Sequence, residues 1–141
     1  MDSVAVLDTS AWLTLAESES GAEEVEAYVA DAWLGRVSVH GSFVSLTELQ
    51  YIRTNEQGAE SAAKLIAWVK QQPVRWHHSD DALCSEAAKL KAAHKLSFAD
   101  AFVAATAKRL DAVLVHKDPE FDALKGVMKL HPLPPKPGNT T

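Results

Sequence analysis

The sequence predicts an α/β fold: a central, mainly parallel sheet of four to five strands with helices on both faces, a three-layer sandwich. Two apolar runs and the spacing between them carry that expectation. Val4-Ala5-Val6-Leu7 and Ala112-Val113-Leu114-Val115 are short, unbroken and bounded by polar residues, the pattern of strands buried on both faces. Helical stretches of three- and four-residue apolar spacing separate the strand candidates. Such alternation means a parallel sheet with right-handed crossovers.

Taken in order, the first strand covers Val4 to Leu7. Thr9 or Ser10 caps a short helix through Leu15. A second helix is expected from Ala22 to Leu34, with Val25, Tyr28, Val29 and Trp33 on one face. Glu23 and Glu24 suit its first turn, and Gly35 stops it. Val37-Ser38-Val39 is the second strand. Ser45-Leu46-Thr47-Glu48 opens a helix to Glu56, which Gly58 breaks. The next helix runs from Ala59 to Gln72 and ends at Pro73. Val74-Arg75-Trp76 is a short strand. Asp80 or Asp81 caps a helix carrying Leu83, Ala87 and Leu90 out to His94. Ser97-Phe98-Ala99-Asp100 opens a helix to Leu110. Asp118-Pro119 starts a short helix to Leu124, and Val127 to Leu130 forms a last strand. One domain is expected over residues 1–131, and the Pro-rich polar tail over 132–141 is expected to be disordered.

The composition fits one globular domain: 141 residues, 47% hydrophobic and 23% charged. The formal net charge is −5, so binding to a polyanion must come from a local patch or a metal. Cys84 is the single cysteine, which excludes an internal disulfide and fits a reducing cytoplasm. The N-terminus lacks a basic region followed by a long apolar stretch, so no signal peptide is expected. No run approaches the ~18–20 apolar residues of a spanning helix, so no membrane role is expected.

Asp8, Glu48, Asp100 and Asp118 occupy special positions. Asp8 and Asp118 follow buried strands, and Glu48 and Asp100 fall in the first turn of helices. Parallel strands bring these points to one sheet edge, where ligands of open α/β sheets bind. Each acid alone has a capping explanation: Ser45-x-x-Glu48 and Ser97-x-x-Asp100 read as capping boxes, and Asp118 precedes a proline at the first helical position. Capping does not explain the set. No lysine or arginine stands beside Asp8 or Asp100 in the sequence. Converging carboxylates raise one another's pKa or recruit a cation. A hard ion such as Mg²⁺ takes oxygen ligands and needs only one or two carboxylates directly. Metal-dependent phosphodiester hydrolysis is the chemistry such a site supports.

These residues carry a family resemblance. Val4-Ala5-Val6-Leu7-Asp8-Thr9-Ser10-Ala11, Phe43-Val44-Ser45-Leu46-Thr47-Glu48-Leu49, Leu96-Ser97-Phe98-Ala99-Asp100-Ala101 and Val113-Leu114-Val115-His116-Lys117-Asp118-Pro119-Glu120-Phe121 resemble, in order, the motifs of PIN-domain proteins, specifically VapC-type toxins of VapBC toxin–antitoxin pairs. The resemblance implies a PIN fold, Mg²⁺- or Mn²⁺-dependent endoribonuclease activity and a cognate VapB-like antitoxin. It implies Asp8 and Asp100 as the main metal ligands, Glu48 and Asp118 as supporting or water-mediated acids, and Thr9 and Ser10 hydroxyls orienting Asp8. A structured RNA such as tRNA or rRNA is the expected substrate, and a homodimer the expected assembly. His116 departs from the family pattern, which often has threonine or serine two residues before the last acid.

Other features have simpler readings. Lys117, Lys125, Lys89, Lys91, Lys95 and Arg53 either form an RNA-contacting rim or are solvated helix faces. His77-His78 with Asp80-Asp81 fits a turn and helix cap better than a metal site. Cys84 is expected to be a buried small residue. Trp12 and Trp33 are expected in the core, or else in a partner groove or two-fold interface. A PIN-fold binding module without nuclease activity is the alternative function. A phosphotransfer domain with Asp8 as nucleophile is disfavoured, because Ser10 stands where a dehalogenase-type site needs a second aspartate.

Overall fold

The computed structural model describes residues 3–135. Five parallel strands form one sheet: β1 (Val4–Leu7), β2 (Ser38–Ser42), β3 (Val74–His77), β4 (Val113–His116) and β5 (Leu130–Pro132), in the spatial order β3-β2-β1-β4-β5. Among the described residues the α-helices are α1 (Thr9–Ala16), α2 (Ala22–Trp33), α3 (Phe43–Gln57), α4 (Ala59–Lys70), α5 (Asp81–Ala93) and α6 (Phe98–Leu110). A 3₁₀ helix covers Pro119–Leu124. The expected sandwich is therefore present.

The two faces of the sheet are packed separately, which is why its central strands lack polar alternation. Val6 and Leu114 enter a core with Leu83, Leu90 and Phe102 from α5 and α6. Ala5, Leu7, Val113 and Val115 enter the opposite core with Trp12, Val29, Leu49 and Val69 from α1, α2, α3 and α4. Helix α6 is buried continuously from Asp100 to Ala107. Its alanines at 101, 104, 105 and 107 let its backbone lie close to the sheet.

The chain passes outward from β1 through β2 to β3, then returns to lay β4 on the other side of β1. The order reverses between β1 and β4. A crevice opens at such a reversal, outside the carboxyl ends of the strands. Asp8 follows β1 there, and Asp118 lies just past β4.

Four local expectations change. Strand β2 runs directly into α3, whose N-cap is Ser42, so Ser45 does not start that helix and Ser45–Glu48 is not a capping box. Asp8, rather than Thr9 or Ser10, caps α1. The last strand lies at Leu130–Pro132, not Val127–Leu130, because a turn around Gly126 (φ +80°) precedes it. Order continues past residue 131: Leu133 is buried and its N–H donates to the His116 carbonyl at 2.6 Å. The remainder of the expected tail, residues 136–141, lies outside the described residues.

Candidate metal centre

Asp8 is nearly buried at 3% exposure and is held on several sides. Its Oδ1 accepts from the Ala11 N–H at 2.8 Å, closing the first turn of α1. Ser10 Oγ donates to the same carboxylate, 2.7 and 2.9 Å from its two oxygens. Ser10 Oγ in turn accepts from the Lys117 N–H at 2.9 Å, which ties the loop after β4 to the end of β1.

Thr9 does not orient Asp8, as the family resemblance implied. Its Oγ1 donates to Glu48 Oε1 at 2.6 Å and lies 2.9 Å from Ser45 Oγ. Glu48 stands in the second turn of α3, because that helix begins at Phe43. Thr9 thus turns Glu48 toward the strand end that carries Asp8.

Asp100 occupies the third position of α6. The N-cap Ser97 Oγ accepts from the Asp100 N–H at 3.1 Å, as expected of a cap. The reciprocal half of a capping box belongs to another residue: the Ser97 N–H donates to Glu120 Oε1. The Asp100 carboxylate is therefore free to face Asp118, with which it shares a hydrogen-bonding contact. Asp118 Oδ1 accepts from the Glu120 N–H at 2.9 Å, the expected cap before Pro119. Carboxylate oxygens of Asp100, Asp118 and Glu120 all lie within 4.8 Å of one another. Glu120 was not among the acids singled out from the sequence. The signal was its position in the first turn after Asp118-Pro119.

Asp8 and Glu48, expected to converge with Asp100 and Asp118, are not members of this three-acid cluster, and Asp8 feels it through charge. Burial, opposed by the Ser10 and Ala11 hydrogen bonds, pushes Asp8 up to about 7, with Asp118 and Glu48 adding repulsion. Burial, then Asp118, Glu120 and Asp8, push Asp100 up to about 8. Burial is the larger cause for both acids, and the neighbouring carboxylates add to it. Among the described residues no ion pair joins a lysine or arginine to Asp8, Glu48, Asp100, Asp118 or Glu120. An all-oxygen donor set of clustered carboxylates fits a hard divalent cation.

The neighbours of this site correct further expectations. Lys117 does not form a rim beside Asp118: its Nζ donates to the Ser20 carbonyl at 2.6 Å and lies 3.9 Å from Glu19. Arg53 is drawn to Glu17 at 3.5 Å. His116 is buried, stacks edge-on to Phe121 and bonds through Nδ1 to the Asp118 carbonyl at 3.0 Å. It braces the loop carrying Asp118, and burial depresses its pKa. Cys84 is exposed rather than buried. Trp12 is fully buried, so it offers nothing to a partner groove, whereas Trp33 is 66% exposed. Asp80 caps α5, as expected, and also receives both terminal nitrogens of Arg109.

Sheet order and site define an α/β domain with an acidic cluster capable of coordinating a cation at the β1/β4 reversal. The chain belongs to the PIN domain family, whose model matches residues 5–127. Its fold also matches solved VapBC-type structures. A chain of VapBC2 from Rickettsia felis, bound to a DNA fragment from their promoter, superposes with a TM-score of 0.73 at 14% identity, covering 93% of this chain and 99% of that one. DNA-bound VapBC from Salmonella typhimurium gives 0.71 at 16% identity, covering 91% and 96%. VapC20 of Mycobacterium tuberculosis, described as a Sarcin-Ricin loop cleaving toxin, gives 0.65 at 21% identity, covering 84% and 93%. No curated protein matches the sequence.

Proposed function

We propose that this chain is the toxin of a type II toxin–antitoxin pair and an Mg²⁺- or Mn²⁺-dependent endoribonuclease. The observation that carries the proposal is the cluster of Asp100, Asp118 and Glu120, joined electrostatically to Asp8 and, through Asp8, to Glu48. Asp8 and Asp100 are assigned as direct ligands. Asp118 and Glu48 support them, and Glu120 joins the set. A divalent ion held there supplies water activation and charge neutralisation for in-line attack at a phosphodiester. The protein's own part is to aim the carboxylates. Ser10 and the α1 N-terminus fix Asp8, Thr9 fixes Glu48, and Ser97 with Glu120 leaves Asp100 free.

The solved VapBC complexes support an antitoxin of VapB type as the partner. The description of VapC20 supports a structured RNA as substrate. No helix among the described residues is long and apolar enough to cross a membrane, and a cytoplasmic homodimer is the proposed working form. Asp8 and Asp118 do serve as caps, which is the observation favouring a pure binding module. Gathering half-buried carboxylates around one point is a cost that capping alone does not require.

The test is cleavage of a structured RNA by purified protein. Cleavage should require Mg²⁺ or Mn²⁺, stop with EDTA, and disappear in Asp100→Asn. Cleavage that persists in that variant rules out this assignment of the site.

A further inference from the structure

Phe98 is the first residue of α6, directly after the cap that positions Asp100, yet its ring is 70% exposed. A large aromatic left in water beside an acid cluster calls for an explanation. It is the outer member of a chain of edge-on rings: Phe98 stands 5.3 Å from Phe102, which stands 5.4 Å from Phe43 at the start of α3. The ring is thus supported from behind while its other side faces solvent. Next to it opens a cavity of about 260 Å³ walled by Cys84, Ala87, Ala88, Ala101, Phe102 and Phe98 itself.

The charge around this shelf contrasts with the rest of the chain. From Ala87 to Ala99 the sequence holds Lys89, Lys91, His94 and Lys95 and no acid, in a protein of net charge −5. All three lysines are exposed. None forms an ion pair among the described residues, although Lys91 Nζ donates to the Leu96 carbonyl at 2.8 Å. An exposed ring, an apolar slot and a local excess of lysine are the parts from which single-stranded nucleic acid sites are built. Two residues along a helix face nearly opposite ways, so Phe98 and Asp100 lie on different sides of the first turn of α6, and a strand bound at both passes over that helix end.

Building on the ribonuclease reading, we infer that Phe98 stacks an unpaired base of the bound RNA, outside the acid cluster itself, with Lys91 and Lys95 contacting the backbone. The substrate is then an RNA whose bases are exposed, in a loop or single strand, since a duplex hides its π-faces. A second copy of this chain suits the patch less well: a two-fold contact brings like-charged lysine segments together, whereas a polyanion neutralises them.

The test measures binding in EDTA, where no cleavage intervenes. A short labelled RNA oligonucleotide is offered single-stranded and annealed to its complement. Wild-type protein should prefer the single strand. Phe98→Ala should weaken that binding by about tenfold, the loss expected of one base–aromatic stack. Phe98→Tyr, which keeps the ring, should bind as wild type, and Mn²⁺-induced thermal stabilisation should be the same in all three proteins. Equal binding by wild type and Phe98→Ala overturns the inference, as does no preference for the single strand. A change of oligomeric state in Phe98→Ala also overturns it and assigns the patch to self-association. If binding depends on Phe98 but no RNA is cleaved with Mg²⁺ or Mn²⁺, the ribonuclease reading fails and the stacking site stands. If cleavage occurs and is indifferent to Phe98, the reverse holds.

Discussion

Glu120 accepts a hydrogen bond from the backbone N–H of Ser97, 23 positions earlier in the chain. That contact takes over the role Asp100 would have in a capping box and joins the 3₁₀ turn after β4 to the start of α6. One acid thereby leaves another without a local partner. Glu120→Gln retains an acceptor for Ser97 but removes a charge. It should keep the melting temperature within about 2 °C while weakening Mn²⁺ binding. Glu120→Ala loses both and should cost about 1 kcal/mol. Thermal melts with and without Mn²⁺ distinguish the two.

The raised acids predict a pH dependence with a definite sign. Asp8 and Asp100 move from the ordinary 3.8 to about 7 and about 8. The folded chain then binds protons that the unfolded chain has released. This contribution is fully present below about pH 4 and is lost as pH rises through 7 to 8. Metal-free protein should therefore melt lower at pH 8.5 than at pH 6 in buffers carrying EDTA. Divalent ions compete with those protons, so their stabilising effect should grow across the same interval.

Asp100→Asn removes the repulsion that the free carboxylate suffers from burial, Asp118, Glu120 and Asp8. The metal-free variant should melt several degrees above wild type at pH 8. Adding Mn²⁺ should then do little, so the two proteins change order on addition of the ion. Melting curves at one pH, with EDTA and with Mn²⁺, check this.

Ser10→Ala cuts the relay from the Lys117 N–H to Asp8. The serine favours the charged carboxylate. Its loss should raise the Asp8 pKa further and move the onset of Mn²⁺ binding to higher pH, with about 1 kcal/mol of stability lost. A Mn²⁺ titration repeated across pH reads both effects.

Much of this architecture is legible in the residues. Val4–Leu7 and Ala112–Val115 announce central strands because burial on both faces leaves no polar position in them. Strand β2 is harder to see, since His40 and Gly41 are poor strand formers. Gly41 is there because Trp76 of β3 covers it: a Cβ would sit 2.3 Å from the indole ring. That neighbour is 35 positions away. The acids at the strand ends are readable from their positions, but their partners are not. Thr9 meets Glu48 only once α3 is placed against α1, and Lys117 turns away from Asp118 only because Ser20 and Glu19 draw it across. Tertiary packing made those choices, and no local rule encodes them.

The central claim is that Asp8 and Asp100 share one divalent ion. Calorimetric titration of Mn²⁺ at pH 8 into wild type, Asp8→Asn, Asp100→Asn and the double variant tests it most directly. One shared site predicts that each single substitution abolishes the high-affinity heat and that the double variant is no worse than either. Undiminished Mn²⁺ binding in either single variant, or losses that add in the double, would contradict it.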